Sequence, residues 1–387
     1  MPRSFRAVIL QCAAAGLSAS VLMAQTPAGQ STSPQLVPRT PEQRERTREA
    51  NRRINLHVIV TDASGKSVAG LKPEDFTVLD HGQPQTVTAF EEVNNAANGS
   101  TRGLLVLDAI NGGASGVHRV GKELFNVLAQ GQGPLPYPLQ IVVVSSAGAI
   151  ESPPTSDRNA LAADVTRLTR NLRSADCDSP GAGQNLLEFP SVTPGGPGQA
   201  QWNCQDMHLM KSLNALNALA QAQQKVNARA IVIWTGPGWP LPPQLDSGQI
   251  IPGGGTTGDL SKAIVTLEAA MQQGRITLDA LSWESFARAA GVRRTGLRGS
   301  LAGASLPEQE AALELPALAA QTGGLALEKS KDLAAALNTC LGDGEQYYSI
   351  AFDPAPASSH DEYRTIEVKV DRPGASVRTL AGYYAQP

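Results

Sequence analysis

The chain has 387 residues, of which 41% are hydrophobic and 17% charged, and its formal net charge at pH 7 is −3. This length is enough for one or two hydrophobic cores. No cluster of Lys and Arg is dense enough to follow a phosphate backbone, so the composition argues against a nucleic-acid partner.

Residues 1–24 have the layout of a secretory signal peptide. Arg3 and Arg6 precede an apolar stretch from Ala7 to Met23, and Ala24 before Gln25 marks a cleavage site. The alternative is a membrane anchor, but polar residues interrupt the stretch and it falls short of the roughly 20 strongly apolar residues that a span needs. We therefore expect a secreted or periplasmic protein with no membrane span after cleavage.

The next two segments differ sharply in pattern. Residues 25–53 are rich in Gln, Thr, Pro, Arg and Glu without apolar periodicity, which is typical of a disordered tether. From Ile54 the apolar residues recur with period two and predict strands over 54–60, 76–79 and 85–90, separated by the turn signals DASGK and DHGQ. We assign residues 54–95 to an N-terminal antiparallel β segment.

In residues 100–343, short apolar strands alternate with helical patterns. The predicted strands are 104–107, 139–144, 230–234 and 276–281, and a last unit has a helix over 310–321, a strand over 325–327 and a helix over 331–341. Such alternation predicts a doubly wound α/β domain, a mostly parallel sheet with helices on both faces.

The C-terminal residues 344–387 return to a β pattern, with predicted strands over 346–352, 363–370 and 377–384. A short β segment cannot bury its apolar face alone. We therefore expect the segments at the two ends of the chain to pack together as a small antiparallel sandwich beside the α/β domain.

Three cysteines remain after signal cleavage. Cys177 and Cys204 flank a Gly- and Pro-rich stretch, and in an oxidising compartment they predict a disulfide that closes an insertion over 174–204. Closing a loop of this size would contribute roughly 3 to 4 kcal/mol. Cys340 lies on the apolar face of a predicted helix and is expected to be a buried, inert thiol.

Asp108 is the most informative single residue. It follows the apolar run LLVL and leads into the glycine-containing turn AINGG before a helix, which is where a doubly wound fold places its ligand. One interpretation is a contact or metal-ligating residue in a functional crevice. The other is a strand-end cap whose carboxylate is satisfied by backbone N–H groups.

Several stretches carry a resemblance to a known family. They are VTDASGKSVAGLKPEDFTVLDHGQPQTVTAFE, LVLDAIN, TSDRNAL, ARAIVIWTGPGWP, LAAQTGG, YYSIAFDP and EYRTIEVKVDRPGASVRTLAGYYA, and they cover nearly all of the chain from Asn55 onward. In these motifs the chain resembles the von Willebrand factor type A (VWA)-related proteins first grouped from Acidobacteria, which are secreted. The resemblance implies a doubly wound VWA-like layer with flanking β structure.

VWA domains that bind ligands through a metal ion place the motif DxSxS after the first strand and an aspartate after a later strand. Here the motif begins at Asp108, but Ile110 and Gly112 replace the two hydroxyl residues, so that Asn111 is the only further oxygen donor in register. Thr235 is followed by Gly-Pro where the later aspartate would stand. The resemblance therefore implies a degenerate metal-ion-dependent adhesion site with no cofactor; Mg²⁺ at Asp108 is the alternative.

The chain shows no motif for a common catalytic site. Neither HExxH nor GxSxG occurs, and the five histidines are dispersed. We expect a non-catalytic binding protein that presents Asp108, Asn111, Thr235 and Trp239 to a protein or cell-envelope partner. The alternatives are a metal-dependent hydrolase at Asp108 and a structural component of an envelope assembly.

Overall fold

The computed structural model describes Pro41, Glu45 and residues 52–95, 101–172, 197–226, 228–239, 257–283, 315–330 and 332–387. Within these, only the backbone is described for 197–207, 209–210, 257–264, 283 and 328–330. The predicted signal peptide, all but four residues of the predicted tether and Cys177 lie outside the described residues. Cys204 lies in a described helix without a described side chain, so the disulfide stays a prediction.

The central part of the chain alternates strands and helices. The strands are β5 (Arg102–Asp108), β6 (Leu139–Ser145), β7 (Gly148–Glu151), β8 (Ala230–Thr235), β9 (Ile276–Trp283) and β10 (Ala326–Ser330). The helices are α1 (Ala109–Gln130), α2 (Arg158–Thr169), α3 (Pro197–Gln224), α4 (Thr257–Gln273), α5 (Leu315–Gln321) and α6 (Leu333–Glu345).

These six strands form one sheet in the order β10-β9-β8-β5-β6-β7. All neighbours are parallel except the edge strand β7, which is antiparallel to β6. The chain runs from β5 to β6 on one side, then crosses over to β8 on the other side of β5. The strand order therefore reverses between β5 and β8, which is the topological switch point of the sheet.

Helices cover both faces of this sheet because its central strands are apolar on both sides. Leu104 and Val106 of β5 face a core shared with α3, α4 and α5. Leu105 and Leu107 face a second core shared with α1, α2 and α6. Each of these four side chains is at most 3% exposed, and burying one stabilises the fold by roughly 1.5–3 kcal/mol.

Strands from the two ends of the chain form two further, antiparallel sheets. Their strands are β1 (Ile54–Thr61), β2 (Phe76–Asp80), β3 (Gln83–Gln85), β4 (Val87–Asn94), β11 (Gln346–Phe352), β12 (Glu362–Val370), β13 (Ser376–Arg378) and β14 (Gly382–Ala385). The sheet orders are β13-β1-β11-β4 and β14-β12-β2-β3. Leu56 and Ile350 of the first sheet share a buried core with Val78 and Ile366 of the second. The structure thus confirms the predicted α/β class, with one mostly parallel sheet and two antiparallel sheets.

Two segments predicted as single strands are each divided in the structure. The predicted strand 85–90 is divided, because Gln83–Gln85 pairs with β2 whereas Val87–Asn94 crosses to the other sheet and pairs with β11. The predicted strand 377–384 is likewise divided into β13, which pairs with β1, and β14, which pairs with β12. Alternating polarity fixes the face of each residue but not its sheet, since both sheets turn their apolar faces to one core.

Two central elements are absent from the sequence prediction. The helix α2 begins after Asp157, whose carboxylate accepts hydrogen bonds from the N–H groups of Asn159 and Ala160. The edge strand β7 has exposed residues throughout, so that no apolar alternation marks it. The predicted helix 310–321 is described only from Leu315, where it is helical.

Polar contacts join the parallel sheet and its helices to the antiparallel sheets. Arg378 of β13 donates to both carboxylate oxygens of Asp343 in α6, at 2.6 and 2.8 Å. The buried Arg229 donates to the carbonyl of Asp343, and its guanidinium lies 4.2 Å from the ring centroid of Tyr347 in β11. Burial and the neighbouring Asp343 raise the pKa of Asp279, which lies fully buried in β9.

Among the described residues, no helix combines the length and the apolar character needed to cross a membrane. The thiol of Cys340 is free and buried in α6, as the apolar face of that helix predicts.

Candidate functional site

The candidate site lies at the switch point, where β5 and β8 end side by side. Asp108 is the last residue of β5, and Thr235 is the last residue of β8 and pairs with Leu107. The backbone approaches closely here: a Cβ atom added to Gly236 would lie 3.0 Å from the Cβ atom of Asp108. A glycine at this position therefore lets the loop after β8 pass over the end of β5.

The Asp108 carboxylate is 0% exposed and accepts hydrogen bonds from four N–H groups. Its Oδ1 accepts from the backbone N–H groups of Ile110 and Asn111, both at 3.0 Å. Its Oδ2 accepts from Asn111 Nδ2 at 2.7 Å and from Trp234 Nε1 at 3.1 Å. Burial raises the pKa of Asp108, and the four hydrogen bonds oppose that rise because they favour the charged form.

Asn111 connects this carboxylate to a neighbouring helix. Its amide nitrogen donates to Asp108 and also to the Ser212 hydroxyl of α3, at 2.8 Å. Its Oδ1 is buried and has no hydrogen-bond partner. The turn containing Asn111 ends at Gly113, whose φ of 62° and ψ of 168° interrupt α1. That conformation is essentially restricted to glycine, so Gly113 separates the capped turn from the long part of the helix.

Two tryptophans form the aromatic side of the site. The rings of Trp234 and Trp239 meet edge to face, with their centroids 5.6 Å apart. Trp234 is fully buried and points its indole N–H at Asp108, whereas Trp239 is 8% exposed and its Nε1 is buried without a hydrogen-bond partner. The Thr235 hydroxyl donates to the carbonyl of Val106 at 2.6 Å and is also fully buried.

The structure thus brings the four predicted site residues to one place but gives them different surroundings. Asp108 and Thr235 are enclosed, and their side-chain oxygens are engaged inside the protein. Asn111 and Trp239 retain polar atoms without partners. Two contacts were not predicted. Trp234 stands at a strand end where an aromatic could line a crevice, but its donation to Asp108 was not foreseen, and neither was the contact of Asn111 with the Ser212 hydroxyl. Nothing in a local pattern marks Ser212, which lies within an ordinary helical repeat.

The residues present do not fit a divalent cation at Asp108. Mg²⁺ needs near-octahedral coordination by oxygen atoms, whereas N–H donors from Asn111 and Trp234 face Oδ2. Ile110 and Gly112 are buried and supply no side-chain oxygen. Within the described parts of the chain, no three His, Cys, Asp or Glu side chains are grouped so as to hold a metal ion.

Comparisons with known proteins give only weak likenesses. No family model matches the chain, and no curated protein matches it. The manganese-loaded TRAP protein of Plasmodium vivax is 12% identical with a TM-score of 0.31, over 77% of this chain and 98% of that one. The human COPII-coat protein Sec24c is 10% identical with a TM-score of 0.30, over 74% of this chain and 44% of that one.

A third solved structure is the pilus adhesin SpaC of Lactobacillus rhamnosus GG in its open conformation. It is 11% identical with a TM-score of 0.30, over 82% of this chain and 49% of that one. TM-scores near 0.3 are too low to support an argument about fold family or function.

Proposed function

We propose that this chain is a non-catalytic binding protein that recognises a partner protein at the crevice between β5 and β8, without a metal ion. The proposal rests on one observation, that the predicted site residues lie at the switch point of the sheet. The strand order reverses between β5 and β8, and the turn with Asn111 and the loop with Trp239 follow these two strands. Open α/β sheets bind their ligands at this position.

The chemistry of the crevice supports a neutral protein surface as the ligand. Asn111 Oδ1 is an acceptor and Trp239 Nε1 is a donor, and neither has a hydrogen-bond partner. A peptide group offers the complementary donor and acceptor. Both atoms are covered, so a partner reaches them only if the rim of the crevice opens. Tryptophan is also among the residues that contribute most to binding energy at protein interfaces.

The same contacts disfavour the alternative of a hydrolase at Asp108. A general base or a nucleophile needs a lone pair directed at the substrate or at a water molecule. Both oxygens of Asp108 instead accept two hydrogen bonds each from groups of the protein. We also propose that the protein is secreted, that its mostly parallel sheet is VWA-like, and that the site at Asp108 is a degenerate adhesion site.

The proposal is tested by cross-linking the full chain to cell-envelope extract and identifying the captured proteins by mass spectrometry. Trp239→Leu combined with Asn111→Leu should reduce capture of a specific protein at least tenfold. The control is Phe125→Ala, which removes an exposed aromatic ring of α1 (41% exposed). Equal capture by the double variant and the wild type, with both folded by circular dichroism, would contradict the crevice as the binding surface.

A further inference from the structure

A group of buried ionisable side chains lies where the parallel sheet, α6 and β13 meet. Its two carboxyl groups are those of Asp279 in β9 and Asp343 in α6, and both are buried. The charged and titratable groups that face Asp279 come from several elements, and they are Asp343 and Cys340 of α6, Arg378 of β13, Arg229 before β8 and Tyr137 before β6. The protonation state of Asp279 therefore depends on the protein around it and not on solvent.

The Asp279 carboxyl has few hydrogen-bond donors. Its Oδ1 accepts from the backbone N–H of Leu325 at 2.8 Å, and its Oδ2 is buried without a hydrogen-bond partner. The thiol of Cys340 also bonds to this carboxyl, but a thiol is a weak donor. A Cβ atom on Gly324 would lie 2.8 Å from Oδ1, so the backbone before β10 packs directly against the carboxyl. Asp108 is equally buried but has four N–H donors, which a carboxylate removed from water needs.

The two nearby guanidinium groups are bound to other acceptors. Arg378 donates to both carboxylate oxygens of Asp343, at 2.6 and 2.8 Å. Arg229 donates to the Thr277 hydroxyl and to the carbonyl of Asp343 in the last turn of α6, where the helix dipole favours a cation. Among the described residues, no Lys, Arg or His forms an ion pair with Asp279. Asp279 thus lacks both the donors and the cation that would stabilise its charged form.

We propose that Asp279 makes this fold sensitive to pH: its carboxyl is a neutral acid in the folded chain, and release of its proton weakens the junction between the parallel sheet and β13. Ionisation would place a second negative charge near Asp343, and both carboxylates would then compete for Arg378. This role of Asp279 is independent of the function proposed for the Asp108 crevice.

The direction of the pH effect follows from the two states of the chain. Burial and the charge of Asp343 raise the pKa of Asp279 to about 8 in the folded chain, whereas the ordinary value for an aspartate is 3.8. The folded chain therefore holds this proton more tightly than the unfolded chain does. The resulting stabilisation is greatest below pH 3.8 and is lost as the pH rises through 8.

Urea unfolding of the full chain and of Asp279→Asn between pH 5 and pH 9 tests the proposal. Asparagine has the shape of the neutral acid and cannot ionise. The folding equilibrium constant of the wild type, divided by that of Asp279→Asn, should fall about tenfold per pH unit between pH 5 and pH 7 and become constant near pH 9. The control is Asp157→Asn at the exposed N-cap of α2, for which the corresponding ratio should not depend on pH in this range.

Infrared difference spectra detect the proton itself. At pH 6 the wild type should show the carbonyl band of a protonated carboxylic acid that Asp279→Asn lacks, and other carboxyl groups cancel because both chains contain them. Absence of this band, or a ratio of folding constants that does not change with pH, would overturn the proposal. Asp279→Leu replaces Asp279→Asn in both measurements if the latter does not fold. Failure of both neutral variants to fold at pH 6 would also overturn the proposal, because a site that holds a neutral acid needs no charge.

Discussion

At the scale of single residues, Asp108 shows how a buried carboxylate is accommodated. A charge removed from water is tolerated when hydrogen-bond donors surround it, and here four N–H groups do so. A cap was one of the two interpretations that the sequence left open for this position, and the sequence itself shows that residues 110 and 112 carry no hydroxyl. It did not predict Trp234 as a donor, because that residue is 126 positions away and meets Asp108 only through the pairing of β5 and β8.

Asp108→Asn should therefore destabilise the chain although its shape is unchanged. Asparagine would place an NH₂ group, itself a donor, opposite N–H groups that need an acceptor. We expect the free energy of unfolding, measured in urea at pH 7, to fall by about 2–4 kcal/mol. The matched control is Asp157→Asn at the exposed N-cap of α2, which should cost about 1 kcal/mol or less. Equal losses at the two positions would show that the buried donors do not stabilise the charge.

Glu268 of α4, whose carboxylate is largely buried and hydrogen-bonded to the Tyr384 side chain, gives a second prediction at this scale, on the dependence of stability on pH. Its pKa is about 7 in the folded chain and about 4.5 otherwise, so folding disfavours its charged form. The folded chain holds the proton of this carboxyl more tightly than the unfolded chain does. The resulting stabilisation is greatest below pH 4.5 and is lost as the pH rises through 7. Glu268→Gln should therefore stabilise the chain by about 1–3 kcal/mol at pH 8 and leave it unchanged near pH 4.5. Parallel curves of unfolding free energy against pH for both chains would refute this.

At the scale of elements, the central strands were predictable because they are apolar throughout. The predicted strands 104–107, 139–144 and 230–234 lie within β5, β6 and β8. The chain passes from one antiparallel sheet to the other at Thr86 and again at 379–381. These passages were not predictable, because the sheet that a strand joins depends on which distant strand is available to pair with it. The helix α2 carried a usable signal that was missed, namely the capping aspartate Asp157 two residues before Asn159.

The break in α1 leads to a prediction about glycine. Gly113→Ala places a side chain at φ 62° and ψ 168°, which should cost about 1–3 kcal/mol. The control is Gly342→Ala in α6, where an added Cβ atom has no neighbour within 4 Å. Alanine favours a helix, so this change should add up to about 1 kcal/mol to the unfolding free energy. Thermal or urea unfolding should therefore show that Gly113→Ala destabilises the chain and Gly342→Ala stabilises it. A stabilising effect of Gly113→Ala would contradict the described turn.

At the scale of the whole molecule, the two ends of the chain meet in one β structure that is attached to the α/β part by buried charges. The prediction that the terminal segments need one another rested on their inability to bury apolar faces alone. The attachment itself was not predictable, because Arg229, Asp343 and Arg378 are far apart in the sequence and none stands in a recognisable motif.

Removing the cation from this attachment should be strongly destabilising. Arg378→Leu leaves the carboxylate of Asp343, whose side chain is 6% exposed, without its bidentate partner. We expect Arg378→Leu to lower the free energy of unfolding by about 2–4 kcal/mol. Arg378→Lys should restore only part of this loss, because an ammonium group cannot form the two parallel hydrogen bonds of a guanidinium. Arg53→Leu, which breaks the exposed pair with Asp353, should leave the melting temperature unchanged. Similar effects of Arg378→Leu and Arg53→Leu would contradict this account of the attachment.

The central claim is that N–H groups, and not a metal ion, balance the charge of Asp108. Calorimetric titration of the folded chain with Mg²⁺, Mn²⁺ and Ca²⁺, beside Asp108→Asn, tests it most directly. We predict that wild type and variant show the same heats, and that 1 mM of each ion leaves the melting temperature of the wild type unchanged. Saturable binding by the wild type that disappears in Asp108→Asn would contradict the claim.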